Sequence, residues 1–459
     1  MFDLVVRGGT VVSAAGQRRA NLAITGGIIR AVAAPDEQIT GQREIDATKK
    51  LILPGLVDAH VHIPGYLRSE RLEDFRSATT AAAVGGVTTI MLMPTDDPRT
   101  TSVEDFEHKR GIGEQQSVVD FAIQALIGPK TGPSEIAAMA AAGASSFEVF
   151  LSYGGNPDFI VGHDDFELQR LLQIVGDVGG IAGVTPHSLS LINKLTELQR
   201  GQPARPNPHK GDLSAVAAFA ATRPTLSEGL GIARACIVAR ETGTRIHLRA
   251  LSCQSSVDLV RRVRDCVQLS SEVMSHHLMF TQEQAAAFGP YGIIVPPIRD
   301  EGERASLRTA LRTGDIDMVV SDHSPVLRSD KEVGWADIWR TPPGMPGLQT
   351  LYASMLALVD EGAFSLADIA RTCAERPAAC FGLYPRKGAL LPGSDADFVI
   401  LDPAQSTLIE DSAQLSKANY TTLKGRTIRG RIESVYLRGH LVAEDDRSVG
   451  KPAGRFVRP

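Results

Sequence analysis

The sequence predicts an α/β protein, a (β/α)8 barrel with a small β-sandwich built from both chain ends. Three observations support this. Both ends of the chain carry short β-branched runs broken by Gly-Gly and Pro-Gly turns. Between them, short apolar runs alternate with Ala-, Leu- and Glu-rich helical stretches, the rhythm of a parallel sheet covered by helices. Polar residues cluster where those apolar runs end, and in such a barrel the chemistry sits at the C-terminal ends of the strands.

The elements follow in order. Residues 1–54 contain "DLVVRGGTVVS", "RRANLAITGGIIRAVA" and "REIDATKKLILPG", each read as a strand punctuated by turns. "LILPGLVDAHVH" leads into the barrel as its first strand. "GVTTIMLMPT", "VDFAIQALIG", "SSFEVFLSY", "GGIAGVTPH", "RIHLRALS" and "DMVVSDHSP" read as further buried strands. Helical segments such as "LEDFRSATTAAAVGG", "PSEIAAMAAAGA" and "DDFELQRLLQIVGDVGG" lie between them. "DADFVILDP", "IRGRIESVYLRGHLVAED" and "GRFVRP" return to the texture of the first residues. The expected division is a composite sandwich of residues 1–54 and 386–459, and a barrel of residues 55–385.

Composition narrows the function classes. The chain of 459 residues is 43% hydrophobic and 22% charged, ordinary for a globular protein. A net charge of −5 offers no basic field for nucleic acid or anionic lipid. No apolar run approaches the ~20 residues that span a bilayer. The five cysteines show no C-x-x-C spacing, which points to a reducing compartment and away from a cysteine zinc knuckle. "MFDLVVRGGTVV" reads as a strand rather than a signal peptide, so the expected location is the cytoplasm.

The chemistry centres on "VDAHVHIPG". His60 and His62 are two residues apart on a strand and therefore point the same way. Taken alone, a chance pair is plausible among eleven histidines. Context strengthens it: the pair closes the first barrel strand, and Asp322 closes a late one in "VVSDHSP". A rim aspartate can also merely cap the next helix. Two imidazoles and a carboxylate form a known ligand set for a hydrolytic zinc that carries an activated water.

"GLVDAHVH", "AAAVGGVTTIMLMPT", "FEVFLSY", "SHHLMFT", "VPPIRDE", "VVSDHSP", "PPGMPGLQTL" and "GSDADFVILDP" together resemble the cyclic amidohydrolases, the family of dihydropyrimidinase/hydantoinase, allantoinase and dihydroorotase. The resemblance runs in order along the whole chain, and the hydantoinase branch looks nearest. It implies the barrel-plus-sandwich fold, hydrolysis of a small cyclic amide, imide or ureide, and a homodimer or homotetramer. It also implies two metals. One is held by the H-x-H pair, a carbamylated lysine and the late aspartate. The other is held by that lysine and two more histidines.

The departures from this pattern carry information. Glu148 stands at the lysine position, and Val184 and Ala250 align with the two second-metal histidines. One divalent ion is therefore expected, zinc or manganese, on His60, His62 and Asp322 with Glu148 as a possible fourth ligand; the second site is expected to be absent. Glu148 has three readings: a ligand, a metal-free acid or base of raised pKa, or the partner of a buried cation. A carboxylate inside an apolar strand is costly without a partner. Tyr153 corresponds to the family tyrosine that hydrogen-bonds the developing oxyanion; otherwise it is a rim tyrosine with its hydroxyl in water.

Nearby histidines are weaker substitutes. His247 lies three residues before Ala250, an offset that reverses the face and moves the side chain ~10 Å; it reads as a packed structural residue. His187, three after Val184, lies past a strand end and is a candidate substrate contact or ligand. His276 and His277, in "SHHL", are read as mainly structural. Arg68, Arg71 and Arg299 are candidate substrate anchors or solvated rim charges. Pro64 and Thr95 replace the arginine and asparagine with which dihydroorotases grip a carboxylate, which argues against dihydroorotate; Thr95 becomes a substrate contact of another kind. Asp322 doubles as the candidate proton carrier. The rival expectation is a metal-free, non-catalytic relative acting as scaffold or subunit.

Overall fold

The computed structural model describes residues 1–65, 73–152, 160–162, 164–201 and 214–459. Eight parallel strands form its centre. Leu56–Val61, Val87–Leu92 and Asp120–Ile123 pair in sequence order. The third strand breaks at Gln124 and resumes as Ala125–Leu126, which pairs with Phe147–Phe150. Ile181–Thr185, Arg245–Leu248, Leu269–Met274 and Met318–Val320 follow, each parallel to the last. The ring closes where Val61 bridges His323 and the His62 amide donates to the His323 carbonyl at 2.9 Å. Every residue of Leu56–Val61 and Val87–Leu92 is buried, as strands covered on both faces require.

Helices Phe75–Val84, Pro133–Ala142 and Asp165–Asp177 fall within the segments expected to be helical. The first begins at a capping box, with the Asp74 carboxylate accepting from the Ser77 amide at 2.7 Å.

The two chain ends share one nine-stranded sheet. Its junction is Leu51–Pro54, antiparallel to Phe398–Leu408. "LILPGLVDAHVH" is therefore two strands: Leu51–Pro54 joins the terminal sheet and Leu56–Val61 begins the barrel. Gly55 lies between them, where a Cβ would stand 2.2 Å from Thr88 Oγ1. Leu4, Val6, Leu22, Ile24, Ile52, Phe398 and Ile400 share a core, and Phe398 stacks on Tyr436 at 4.5 Å. "GRFVRP" departs from this sheet. Phe456 instead bridges Phe121 of the third barrel strand, and the Arg455 amide donates to Asp120 at 2.8 Å.

One barrel strand lies outside the expected set. Leu269–Met274, "LSSEVM", supplies the seventh position and carries Glu272 inward. Among the described residues no helix is long and apolar enough to cross a membrane.

Candidate active site

At the C-terminal ends of the strands lies a cavity of about 380 Å³. Its polar floor includes His60, His62, Thr95, Arg249 and Asp322, and its walls include Met93, Phe150, Val295, Pro296, Val326 and Leu327. Two residues there have backbone angles that L side chains rarely adopt, Ala250 (φ +52°) and Asp322 (φ +43°). Such outliers collect where the surrounding fold over-determines a side chain's aim.

Three of the expected ligands meet. His60 Nε2 and His62 Nε2 stand 3.2 and 3.3 Å from Asp322 Oδ1. The far side of each ring is also held. His60 Nδ1 is 2.6 Å from Glu272 Oε1, and His62 Nδ1 is 3.0 Å from Thr95 Oγ1. A carboxylate only accepts, so His60 Nδ1 carries the proton. In the neutral ring Nε2 then offers a lone pair toward Asp322, an acceptor facing an acceptor, which a cation between them or a second ring proton resolves. A second carboxylate behind a ligating imidazole is the usual way such a ring is aimed at a metal. The donor set therefore fits a divalent ion on His60, His62 and Asp322, three donors whose ligand atoms lie within 4.8 Å of one another.

The surrounding carboxylates favour positive charge at this point, whether on the ring or on an ion. Burial lowers the affinity of His60 for a proton, yet the charges of Asp322 and Glu272 outweigh it and raise its pKa. Burial alone would raise Asp322, but His60 and His62 pull it below the ordinary aspartate value. Behind the pair, Asp58 is wholly buried, and loss of water pushes its carboxyl up to about 6 despite the Ser321 amide at 3.1 Å.

Glu148 is placed differently from the ligand expectation. It is fully buried on Phe147–Phe150, and Arg249 grips it with two bonds, Nη2 to Oε1 at 2.6 Å and Nε to Oε2 at 3.1 Å. Of its three readings, the structure displays the buried-cation partner. Gly183 on the next strand makes room: a Cβ there would lie 2.0 Å from Glu148 Oε1.

The remaining candidates scatter. Thr95 lines the cavity and steadies His62. Arg299 lies behind the cavity, donating from Nη1 to the Arg223 carbonyl at 2.7 Å and from Nε to Ser252 Oγ at 3.2 Å. His187 is buried near Glu228 and Arg299, and burial lowers its pKa to about 4. Val184 is buried in its strand, and Ala250 lines the cavity. His247 sits between Ser270 Oγ at 2.8 Å and Glu272 Oε2 at 2.9 Å, with Phe381 against its ring. His277 Nε2 donates to the Pro297 carbonyl at 3.3 Å. Arg68, Arg71 and Tyr153 lie outside the described residues.

Glu272 and Arg249 were missed from sequence. The usable signal was a carboxylate inside "LSSEVM" and an arginine inside "RIHLRALS", each costly in a barrel strand without a partner. A second carboxylate cluster, Asp120, Asp395 and Asp397, already holds a cation: Lys387 Nζ bonds all three, at 2.8 Å for Asp395 and Asp397.

Comparison with known proteins places this site in a family. Residues 298–442 match the amidohydrolase family. The L-hydantoinase of Paenarthrobacter aurescens is 32% identical over 460 residues, covering 100% of this chain and 98% of the relative. The allantoinase of Rubrobacter xylanophilus is 34% identical over 467 residues, with 100% and 98% covered. The solved L-hydantoinase (dihydropyrimidinase) from Arthrobacter aurescens superposes with a TM-score of 0.93 at 32% identity, covering all of both chains. The ring of eight parallel strands, the convergent His60, His62 and Asp322, and similarity along the full length make this chain a member of the cyclic amidohydrolases of the amidohydrolase superfamily.

Proposed function

We propose that this chain hydrolyses a small cyclic amide, imide or ureide in the cavity above His60, His62 and Asp322, using one divalent ion, zinc or manganese. The convergence of two imidazole Nε2 atoms on one carboxylate carries the reading. Glu148, Glu272 and Asp322 against Arg249 leave an excess of negative charge, to which Asp58 adds above its pKa of about 6, so the site attracts a cation. When bound, such an ion lowers the pKa of a coordinated water toward ~7 and supplies the nucleophile.

The protein's own groups do the rest. Glu272 and Thr95 keep both Nε2 atoms turned inward. Asp322 accepts the proton of the attacking water and delivers it to the leaving ring nitrogen. Tyr153 keeps the oxyanion role that the resemblance implies. The apolar walls of Met93, Phe150, Val295 and Leu327 exclude bulk water and receive the ring. The test is metal content of purified protein together with ring opening of hydantoin and dihydrouracil. One ion per chain, lost together with activity in His60→Ala, is expected. A chain that takes up no zinc or manganese at micromolar supply and opens no ring is the scaffold instead.

A further inference from the structure

We propose that Arg249 is a positioning residue for the ion site: it fixes Glu272, which aims His60, and its guanidinium is the permanent cation that stands in for a second ion. The proposal rests on the reading that His60, His62 and Asp322 hold one ion.

Arg249 is 1% exposed, at the end of Arg245–Leu248, and lines the cavity floor beside the three ligands. All five of its N–H groups are engaged. Nε donates to Glu148 Oε2 at 3.1 Å. Nη1 donates to Glu272 Oε2 at 2.9 Å and to the Ala59 carbonyl at 3.3 Å. Nη2 donates to Glu148 Oε1 at 2.6 Å and to Gln124 Oε1, with Ser146 Oγ at 3.5 Å. A guanidinium so saturated has no donor left for a substrate oxyanion. What it offers is fixed charge and a rigid fork.

The fork has a direction. Glu272 Oε2 is held by Arg249 and by His247 at 2.9 Å, which leaves Oε1 to take the His60 Nδ1 proton at 2.6 Å. The path from Arg249 through Glu272 to His60 is thus continuous, and it ends at the nitrogen that faces Asp322. Arg249 also bridges two carboxylates on different strands, as a shared divalent ion would. The positions flanking it cannot ligate: Val184 is aliphatic and buried, and Ala250 is a methyl on the cavity floor. A second divalent ion would have to sit beside the guanidinium, against its permanent charge.

The test removes the ion pair without changing the local charge. Glu148→Gln combined with Arg249→Met deletes one charge of each sign. Zinc affinity is read by competition with a chromophoric chelator, and stoichiometry by elemental analysis. Wild type is expected to bind one zinc per chain. The double variant and Glu272→Gln alone are each expected to bind it about 10–100-fold more weakly, as loss of an outer-shell partner does. Arg249→Lys, which keeps the charge and loses the fork, should bind more weakly than wild type and more tightly than the double variant, and covers the case of a double variant that does not fold. Zinc binding within twofold of wild type in Glu272→Gln and Arg249→Lys overturns the proposal. So does a wild type that takes up two ions. A wild type that binds none overturns the functional reading, and the proposal with it.

Discussion

Replacing Arg249 with methionine is the sharpest single perturbation this barrel offers. The side chains are similar in length, so the change removes charge and five donors while largely filling the space. Glu148 and Glu272 remain, each wholly buried. Breaking a buried ion pair by deleting one partner costs about 3–5 kcal/mol, because the other charge stays without water. Here Glu148 loses both bonds to the guanidinium while Glu272 keeps His60 and His247, so that range is the expected loss. Folded domains retain only about 5–15 kcal/mol in total.

The loss has a pH signature. Burial pushes Glu272 up, but Arg249 and then His60 pull it well below its ordinary value of 4.5. A depressed carboxylate contributes stability that is present above the ordinary value and lost as pH falls through the folded one. Without Arg249 the largest lowering influence disappears. The gap between wild type and variant should therefore be widest at neutral pH and narrow as pH falls from the ordinary 4.5 toward the well-lowered folded value of Glu272 in wild type. Urea midpoints at several pH values measure it, with m-values checked for constancy. A neutral-pH loss under about 1 kcal/mol, or a gap that does not narrow on acidification, would refute the account of Arg249 as a buried counter-charge.

Two further outcomes follow from packing and burial. Gly183→Ala places a methyl where the Glu148 carboxylate lies; it should cost about 1–3 kcal/mol, as overpacking does, and much less in a Glu148→Ala background. An equal cost in both backgrounds would contradict that contact. Lys331 is fully buried, its Nζ donating to the Ile293 carbonyl at 2.9 Å, and burial pushes its pKa down to about 7. Its folded pKa lies below the ordinary 10.5, so its penalty is full below about pH 7 and fades as pH rises toward 10.5. Lys331→Met should raise the melting temperature at pH 6 and give little gain at pH 10; a pH-independent difference would count against it.

Much of the site was legible before folding. His60 and His62 share a face because strand side chains alternate, and Asp322 closes an apolar run, so local rules suffice for all three. Glu148 was legible as a problem, a carboxylate without a visible partner in "FEVFLSY". Its answer was not, because Arg249 lies 101 residues further along the chain. Glu272 was harder. Leu269–Met274 contains two serines and a glutamate among six residues, which breaks the apolar run by which buried strands are recognised. "LILPGLVDAHVH" read as one strand because nothing local says that Leu51–Pro54 pairs with Phe398–Leu408 at the other end.

The sequence by itself therefore determined the α/β alternation, the strand ends that carry His60, His62 and Asp322, and the absence of imidazoles at Val184 and Ala250, since each depends on residue type and short-range periodicity. Only the tertiary structure decided that Arg249 spans Glu148 and Glu272, and that Glu272 holds His60. Those contacts exist because barrel closure brings separate strands within hydrogen-bond distance in a water-free core, where each charge must find an opposite one.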